Sequence, residues 1–138
     1  TPSGNAMAAL VLARLAVLAQ EPQREETARA SIDAMRPLMA EHPLGFSQWL
    51  IALDYVAAPP VEVAIVGAPD AADTRALIEA GDTGYAPHRV LAVGDDDSQV
   101  PLLAGKAPID HAAAAYVCSG TTCHPPVTDP EELRELLG

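Results

Sequence analysis

The sequence predicts a mixed α+β and α/β chain, in which helices come first and a small three-layer α/β unit with a short, mostly parallel sheet follows. Three observations lead to this prediction. Apolar residues recur at helical spacing up to residue 57, short β-branched runs begin only after it, and Pro59-Pro60 stands where the pattern changes. We therefore place a helical segment at residues 1–58 and a small α/β domain at residues 59–138.

Three helices are predicted in the first part, at residues 4–20, 24–40 and 44–57. The first is apolar almost all round, which predicts that it is buried on most sides. Ser3 or Asn5 can cap its start, because a side-chain oxygen at that position accepts from exposed backbone N–H groups. Pro37 lacks a backbone donor and should bend the second helix near its end.

Three short apolar runs in the second part are predicted to be strands, at residues 61–66, 89–93 and 113–118. A helix capped by Asp70 and ended by Gly81 joins the first two, which gives the right-handed parallel crossover unit. Near the end of the chain, Asp129 at the cap, Pro130 at the first position and Glu132 at the third form a strong helix start.

The charge balance limits the classes of partner. The net charge is −11, from 19 acidic and 8 basic residues, which argues against binding to nucleic acid or docking on an anionic membrane. The longest apolar stretch, residues 6–19, is interrupted by Arg14 and is too short to span a bilayer. Two cysteines do not make a disulfide scaffold, so free thiols in the cytoplasm are predicted. Thr1 in place of an initiator Met predicts a domain taken from a longer protein.

Cys118 and Cys123 are the main candidates for chemistry. Three interpretations are open: a packed strand residue with a loop thiol, a disulfide, or part of a zinc site with His111 and His124. The spacing matches neither the two intervening residues common in redox catalysts nor a standard zinc pattern. The residues favour free thiols, then a disulfide, and a metal site last. No metal and no cofactor are predicted.

Two further segments have a functional and a structural interpretation. The run Asp95-Asp96-Asp97 could hold a hard cation, but calcium loops alternate ligands with spacers, so a solvated loop is favoured. Gly67 stands between a strand and a helix, where phosphates often bind. The glycine-rich signature is missing and Asp70 would repel an anion, so a helix cap is favoured there too.

Three motifs occur in order along the chain, and their residues are Pro2-Ser3-Gly4-Asn5-Ala6, then Ala52-Leu53-Asp54-Tyr55 with Pro59-Pro60-Val61-Glu62-Val63-Ala64-Ile65-Val66-Gly67, then Ala115-Tyr116-Val117-Cys118 to Pro130. Together they resemble the C-terminal portion of the spermatogenesis-associated protein 20 family, over essentially the whole chain. The resemblance implies a parent protein with a thioredoxin-like domain followed by a helical barrel similar to N-acylglucosamine 2-epimerase and the six-hairpin glycosidases.

The resemblance implies that residues 1–58 are the last helices of an (α/α) toroid-type barrel. Ser3 and Asn5 match the family's helix-opening motif, which makes them the candidates for substrate binding. Cys118 and Cys123 match its cysteine pair and are the redox candidates. No residue of this chain matches the catalytic histidine of an epimerase.

We therefore predict a C-terminal fragment of a protein of unsettled function that, when intact, binds or isomerises a carbohydrate-like small molecule. The fragment alone should have no turnover, and its first partner is the rest of the parent chain. Apolar surface at Met7, Leu10 and Trp49 predicts self-association of the isolated chain. Two alternatives stay open: a non-catalytic interaction module, and a redox accessory that uses Cys118 and Cys123.

Overall fold

The computed structural model describes residues 3–95 and 97–138, and the chain forms two compact units. The first, which we call the helical unit, runs through Pro60, and the second, the sheet unit, covers Val61–Gly138. Pro2 of the first motif and Asp96 of the acidic run lie outside the described residues. Among the helices that are described, none has both the length and the hydropathy that crossing a bilayer requires.

The described part of the helical unit, residues 3–60, contains three α-helices: α1 at Gly4–Ala19, α2 at Pro22–Glu41 and α3 at Ser47–Ala57. A 3₁₀ turn at Pro43–Phe46 leads into α3, and α2 continues through Pro37. The predicted cap at Ser3 is confirmed, because its hydroxyl oxygen accepts a 3.4 Å hydrogen bond from the backbone N–H of Ala6.

The buried side of α1 consists almost entirely of alanine. Ala6, Ala9, Ala13 and Ala16 recur every three or four residues, and none of them is more than 6% exposed. The separation between packed helices depends on the side chains at the contact. This row of methyl groups therefore lets α2 and α3, which both contact α1, approach it closely.

The larger apolar side chains of α1 lie on its outer side. Met7, Val11 and Leu15, four residues apart, are 43%, 48% and 39% exposed. The prediction that α1 is buried on most sides is therefore wrong for the helical unit, because its apolar residues divide into a small buried row and a large exposed row. We call Met7, Val11 and Leu15 the α1 stripe.

The remaining core of the helical unit comes from α2 and α3. Ile32 and Met39 of α2 are buried, as are Trp49 and Tyr55 of α3. The prediction that Trp49 contributes exposed apolar surface is wrong, since only 6% of this residue is exposed. Burying an aromatic ring of this size is one of the largest single contributions to a small core.

The described residues of the sheet unit form four strands: β1 at Val61–Val66, β2 at Arg89–Gly94, β3 at Ala114–Ser119 and β4 at Thr122–Cys123. Their spatial order is β2-β1-β3-β4. Helix α4, at Ala72–Gly81, connects the parallel strands β1 and β2. The predicted order of strand, helix and parallel strand is confirmed.

The prediction of a mostly parallel sheet is wrong. Among the strands of the described residues, β1 and β2 run parallel, whereas β1 with β3 and β3 with β4 are antiparallel. A parallel return needs a crossover, usually through an α-helix, and the described part of the connection before β3 holds only a 3₁₀ helix, Pro101–Leu103. The sheet is therefore mixed.

The two faces of the sheet pack against different elements. Val63 and Ile65 of β1 share a buried cluster with Leu77 of α4 and Leu133 of α5, which spans Pro130–Leu137. The predicted start of α5 is confirmed, because the Asp129 carboxylate accepts from the backbone N–H groups of the second and third helical residues. Alternation along β1 sends Glu62, Ala64 and Val66 to the other face.

The predicted cap of α4 is wrong. The N-cap of α4 is Ala71, without a side-chain bond, and the Asp70 carbonyl accepts from the Arg75 side chain. The carboxylate that serves this end of the helix belongs to Asp73, which accepts from the backbone N–H of Thr74. Asp73 thus occupies the first turn, where a negative charge is stabilised by the helix dipole.

Candidate functional site

Two neighbouring grooves in the helical unit contain the residues predicted to bind substrate. The first has a volume of about 400 Å³, and Ser3 lies in its wall with Phe46, Gln48 and Trp49. The second has a volume of about 300 Å³ and includes Asn5 with Ser31, Met35 and, again, Trp49. The structure therefore brings Ser3 and Asn5 to two grooves that share a single tryptophan.

The helices explain why these side chains converge. Ser3 precedes the first turn of α1 and Asn5 lies in that turn, while Trp49 lies in the first turn of α3. Ser3 uses one lone pair of its hydroxyl for the cap. A serine hydroxyl has a second lone pair and one proton to donate. Ser3 can therefore cap α1 and still hydrogen-bond a ligand.

The chemistry of the two grooves suits binding and not proton transfer. Their described lining residues are serine, asparagine, glutamine, glycine and apolar side chains, and none of them is ionisable in the physiological range. General acid–base catalysis requires a titratable group within hydrogen-bonding reach of the reacting atom. An isomerisation at these grooves would need groups from outside the described residues of this chain.

Cys118 and Cys123 form a disulfide, so the favoured prediction of free thiols is wrong and the second interpretation is confirmed. The two residues are register partners in the antiparallel pair β3–β4, with Cα atoms 4.1 Å apart. This close approach is typical of pairs that are not joined by backbone hydrogen bonds. The side chains of such a pair point to the same side of the ribbon, which allows the bond.

A two-residue turn creates this register. Ser119 pairs with Thr122, so only Gly120 and Thr121 form the loop. Gly120 has φ +58°, and a glycine at the first central position is typical of the type II′ turns that match strand twist. The next pair outward from the loop is Cys118 with Cys123. The pattern Cys-Ser-Gly-Thr-Thr-Cys was therefore a usable signal for the disulfide.

The segment after the turn covers the outer edge of β3. Beyond the disulfide, the backbone N–H of His124 donates to the carbonyl of Val117 at 2.9 Å. Ala115 and Val127 exchange two backbone hydrogen bonds, at 2.8 and 3.0 Å. The disulfide joins the covering segment to the strand covalently at its start.

The metal interpretation has no support within the described part of the chain, where no cluster of three or more His, Cys, Asp or Glu side chains could hold an ion. The two cysteine sulfurs that a zinc site would need are bonded to each other. Asp95 and Asp97 are exposed, as a solvated loop requires.

Glu62 is a residue near the disulfide that the sequence interpretation did not single out. It lies on β1 directly opposite Cys118 in the antiparallel register. Burial raises the pKa of the Glu62 carboxyl, and the positive charge of Lys106 acts in the opposite direction. The available signal was a lone charged residue inside the apolar run Val61–Val66.

Comparison with known proteins finds relatives that are much longer than this chain. The sequence is 30% identical over 142 aligned positions to human spermatogenesis-associated protein 20, and the match covers 99% of this chain and 18% of the human protein. The proteins of that name from rat and mouse are 30% and 28% identical over the same shares. The chain thus spans about a fifth of the length of these relatives.

No family model matches the sequence, and no solved structure matches it. The match to the three mammalian proteins extends over nearly the whole chain, including both units and the cysteine hairpin. The resemblance predicted from the motifs is therefore confirmed, and the chain fits a C-terminal portion of the spermatogenesis-associated protein 20 family.

Proposed function

We propose that the helical unit binds a carbohydrate-like small molecule in the two grooves that share Trp49, as part of a longer protein whose α/α barrel includes α1 to α3. One observation carries the proposal: Ser3 and Asn5, chosen from the sequence as substrate-binding residues, line adjacent grooves with a common tryptophan.

The composition of the grooves supports this class of ligand. A sugar ring has hydroxyl groups at its edge and C–H groups on its faces. It therefore needs several neutral hydrogen-bonding groups beside an apolar surface. Ser3, Asn5, Ser31 and Gln48 supply the polar groups, and Trp49 with its neighbours supplies the apolar floor. Ligand pockets in general combine a mainly apolar lining with a few placed polar groups.

The experiment uses Trp49 as the reporter, since it is the only tryptophan in the chain. N-acetylglucosamine, glucose and mannose are titrated separately while the tryptophan emission is recorded. We expect a saturable change with at least one of them, weakened in Asn5→Ala and Gln48→Ala. Gln23→Ala, an exposed change on α2 outside the grooves, is the matched control.

If none of the three sugars causes a saturable change in the tryptophan emission, the binding proposal for this chain is contradicted. If Gln23→Ala weakens sugar binding as much as the groove variants do, the effect is general and does not come from the grooves. Turnover is not expected in either case, because the described lining of the grooves holds no titratable group.

A second function, in reversible thiol chemistry, is favoured by the Cys118–Cys123 disulfide. Cys123 is exposed and Cys118 is partly exposed, so reductants can reach the bond. The sequence predicts a cytoplasmic protein, and disulfides that form in that compartment are usually transient, catalytic or redox-sensing. We therefore propose that this bond opens and closes during function.

Counting thiols tests the redox proposal. The untreated chain should have no reactive thiol and should gain two after dithiothreitol, and it should lose them again when oxidised dithiothreitol is supplied in excess. Two thiols in the untreated chain, unaffected by reductant, would contradict it.

A further inference from the structure

Glu62 and Cys118 lie next to each other on one face of the sheet. They are register partners across the antiparallel pair β1–β3. Side chains in directly opposite positions have Cβ atoms about 4.5–5.5 Å apart. The flanking register pair Val63 with Val117 belongs to the core cluster on the other face. Glu62 and Cys118 therefore both point away from that core.

The surroundings of Glu62 leave few charges close to it. On the β2 side its register partner is Val90, which is apolar and buried. Tyr116 shares the face on β3, and its hydroxyl is bonded to the backbone of Ala107. From the segment after the 3₁₀ helix, the charge of Lys106 acts on Glu62.

His124 is the next titratable group along the chain. It follows the last residue of β4 and is exposed. Lys106 also donates to the carbonyl of Leu102 at 2.7 Å, so its position is fixed by the backbone. Glu62 is therefore the acidic group that faces the Cys118 sulfur from the neighbouring strand.

The two sulfurs of the disulfide differ in access and in surroundings. Cys123 is exposed on the short edge strand β4, whereas Cys118 is half-buried in β3 between β1 and β4. An external thiol meets Cys123 first. When Cys123 is attacked, Cys118 is the leaving group, and its developing negative charge forms beside the Glu62 carboxyl.

We propose that Cys123 is the sulfur that exchanges with external thiols, and that Glu62 carries the proton of Cys118 when the bond opens and closes. This assignment rests on the redox function proposed above. It adds a proton-handling residue from β1 to a site that otherwise consists of the hairpin alone.

The disulfide closes in two successive thiol–disulfide exchanges. A small-molecule disulfide first reacts with the Cys123 thiolate and leaves a mixed disulfide there, releasing one of its own thiols. The Cys118 thiol then gives its proton to the Glu62 carboxylate and attacks the Cys123 sulfur, which expels the second small thiolate. That thiolate takes a proton from Glu62 or water. A dithiol reductant drives the reverse sequence and is itself oxidised to a disulfide.

The thiols of Cys118 and Cys123 should therefore differ in acidity. An ionised carboxylate beside a sulfur disfavours the thiolate and raises the thiol pKa, and partial burial acts in the same direction. In the reduced protein the pKa of the Cys118 thiol should lie above that of Cys123. The Glu62 and Cys118 protons then titrate as a coupled pair.

Single-cysteine variants test the proposal. In Cys123→Ser, where Cys118 is the only thiol, ultraviolet thiolate absorbance is followed against pH with and without Glu62→Gln. We expect Glu62→Gln to lower the Cys118 thiol pKa by about one unit, since removal of a like charge at this distance has effects of that order. In Cys118→Ser the same substitution should leave the Cys123 titration unchanged.

Two further variants guard against a trivial result. Glu79→Gln removes an exposed carboxylate on α4 of the same unit and should not move the Cys118 titration. Lys106→Met removes the positive charge that acts on Glu62 and should raise the Cys118 thiol pKa. It is a second electrostatic test, with a shift of opposite sign, that remains available if Glu62→Gln does not fold.

The outcomes separate this inference from the redox function. A Cys118 titration that neither Glu62→Gln nor Lys106→Met moves would overturn the role of Glu62, even if the bond still cycles. Thiol counts that never respond to reductant would overturn the redox function, even if the two titrations are coupled as expected.

Discussion

The backbone N–H of Ala113 donates a 2.8 Å hydrogen bond to the Asp73 carboxylate across forty residues of chain. The other oxygen of this carboxylate accepts from the N–H of Thr74. One side chain thus connects the first turn of α4 to the residue before β3. These two hydrogen bonds hold the pKa of Asp73 below its usual value of 3.8, and the bond from Ala113 has the larger effect.

Asp73→Ala should destabilise the sheet unit in a way that depends on pH. The folded pKa of Asp73 is lowered, so its contribution is complete above the unfolded pKa and is lost as pH falls through the folded pKa. The variant should have a lower urea midpoint than the wild type at pH 7, and the gap should close below pH 3.8. Glu135→Gln, an exposed change on α5, should show no such gap.

Ala13→Leu should destabilise the helical unit by about 1–3 kcal/mol, because extra methylene groups in a packed contact force the backbone or side chains to shift. Ala13 is only 2% exposed in the alanine row of α1. Urea unfolding followed by far-ultraviolet circular dichroism measures the change. Ala30→Leu, at an exposed position of α2, is the control. Equal stability of the two variants would mean that the α1 contact is not tightly packed.

Cys123→Ser should lower the unfolding free energy of the sheet unit by roughly 2 kcal/mol, since a disulfide that closes a short loop restricts the unfolded chain by about this amount. The reduced wild type should unfold at the same urea concentration as the variant. If the reduced wild type is as stable as the oxidised one, the bond contributes nothing to folding and its value is chemical only.

The α1 stripe should cause the isolated chain to self-associate. Contiguous apolar surface on a soluble protein usually marks a contact, and Met7, Val11 and Leu15 form a row along one helix. Replacing all three with glutamine should give a monomer in sedimentation velocity. Leu44→Gln is the matched control, because Leu44 is 95% exposed but lies in the 3₁₀ turn. A wild-type monomer at high concentration would refute this prediction.

The positions of the helices and strands could be predicted because they depend on local patterns. The helical period before Pro59, the β-branched run of β1 and the Asp129 cap are each contained in a short stretch of sequence. The direction of β3 could not be predicted in the same way. It depends on how the connection of residues 95–113 returns to the sheet, which no short window contains.

The candidate site residues also differ in whether local sequence is enough to predict them. Ser3 could be found because a capping residue is recognisable from its neighbours. Trp49 was expected to add exposed apolar surface to the isolated chain, because the sequence does not reveal which helices cover it, and it is buried in the helical unit. The disulfide could have been predicted from the sequence, because a two-residue turn at Gly120 and Thr121 places Cys118 opposite Cys123. Glu62 became meaningful only when the register placed it beside Cys118.

The segment that covers β3 has a consequence for the sheet as a whole. From Cys123 to Val127, it satisfies backbone groups that would otherwise form an open edge of β3, and an open edge can pair with a strand of another chain. Because the disulfide fastens the start of this segment, opening that bond would loosen a cover that the oxidised chain holds in place. Reduction would leave that cover held by backbone hydrogen bonds alone, so the state of a single covalent bond would set how firmly the edge of β3 is closed to strand addition.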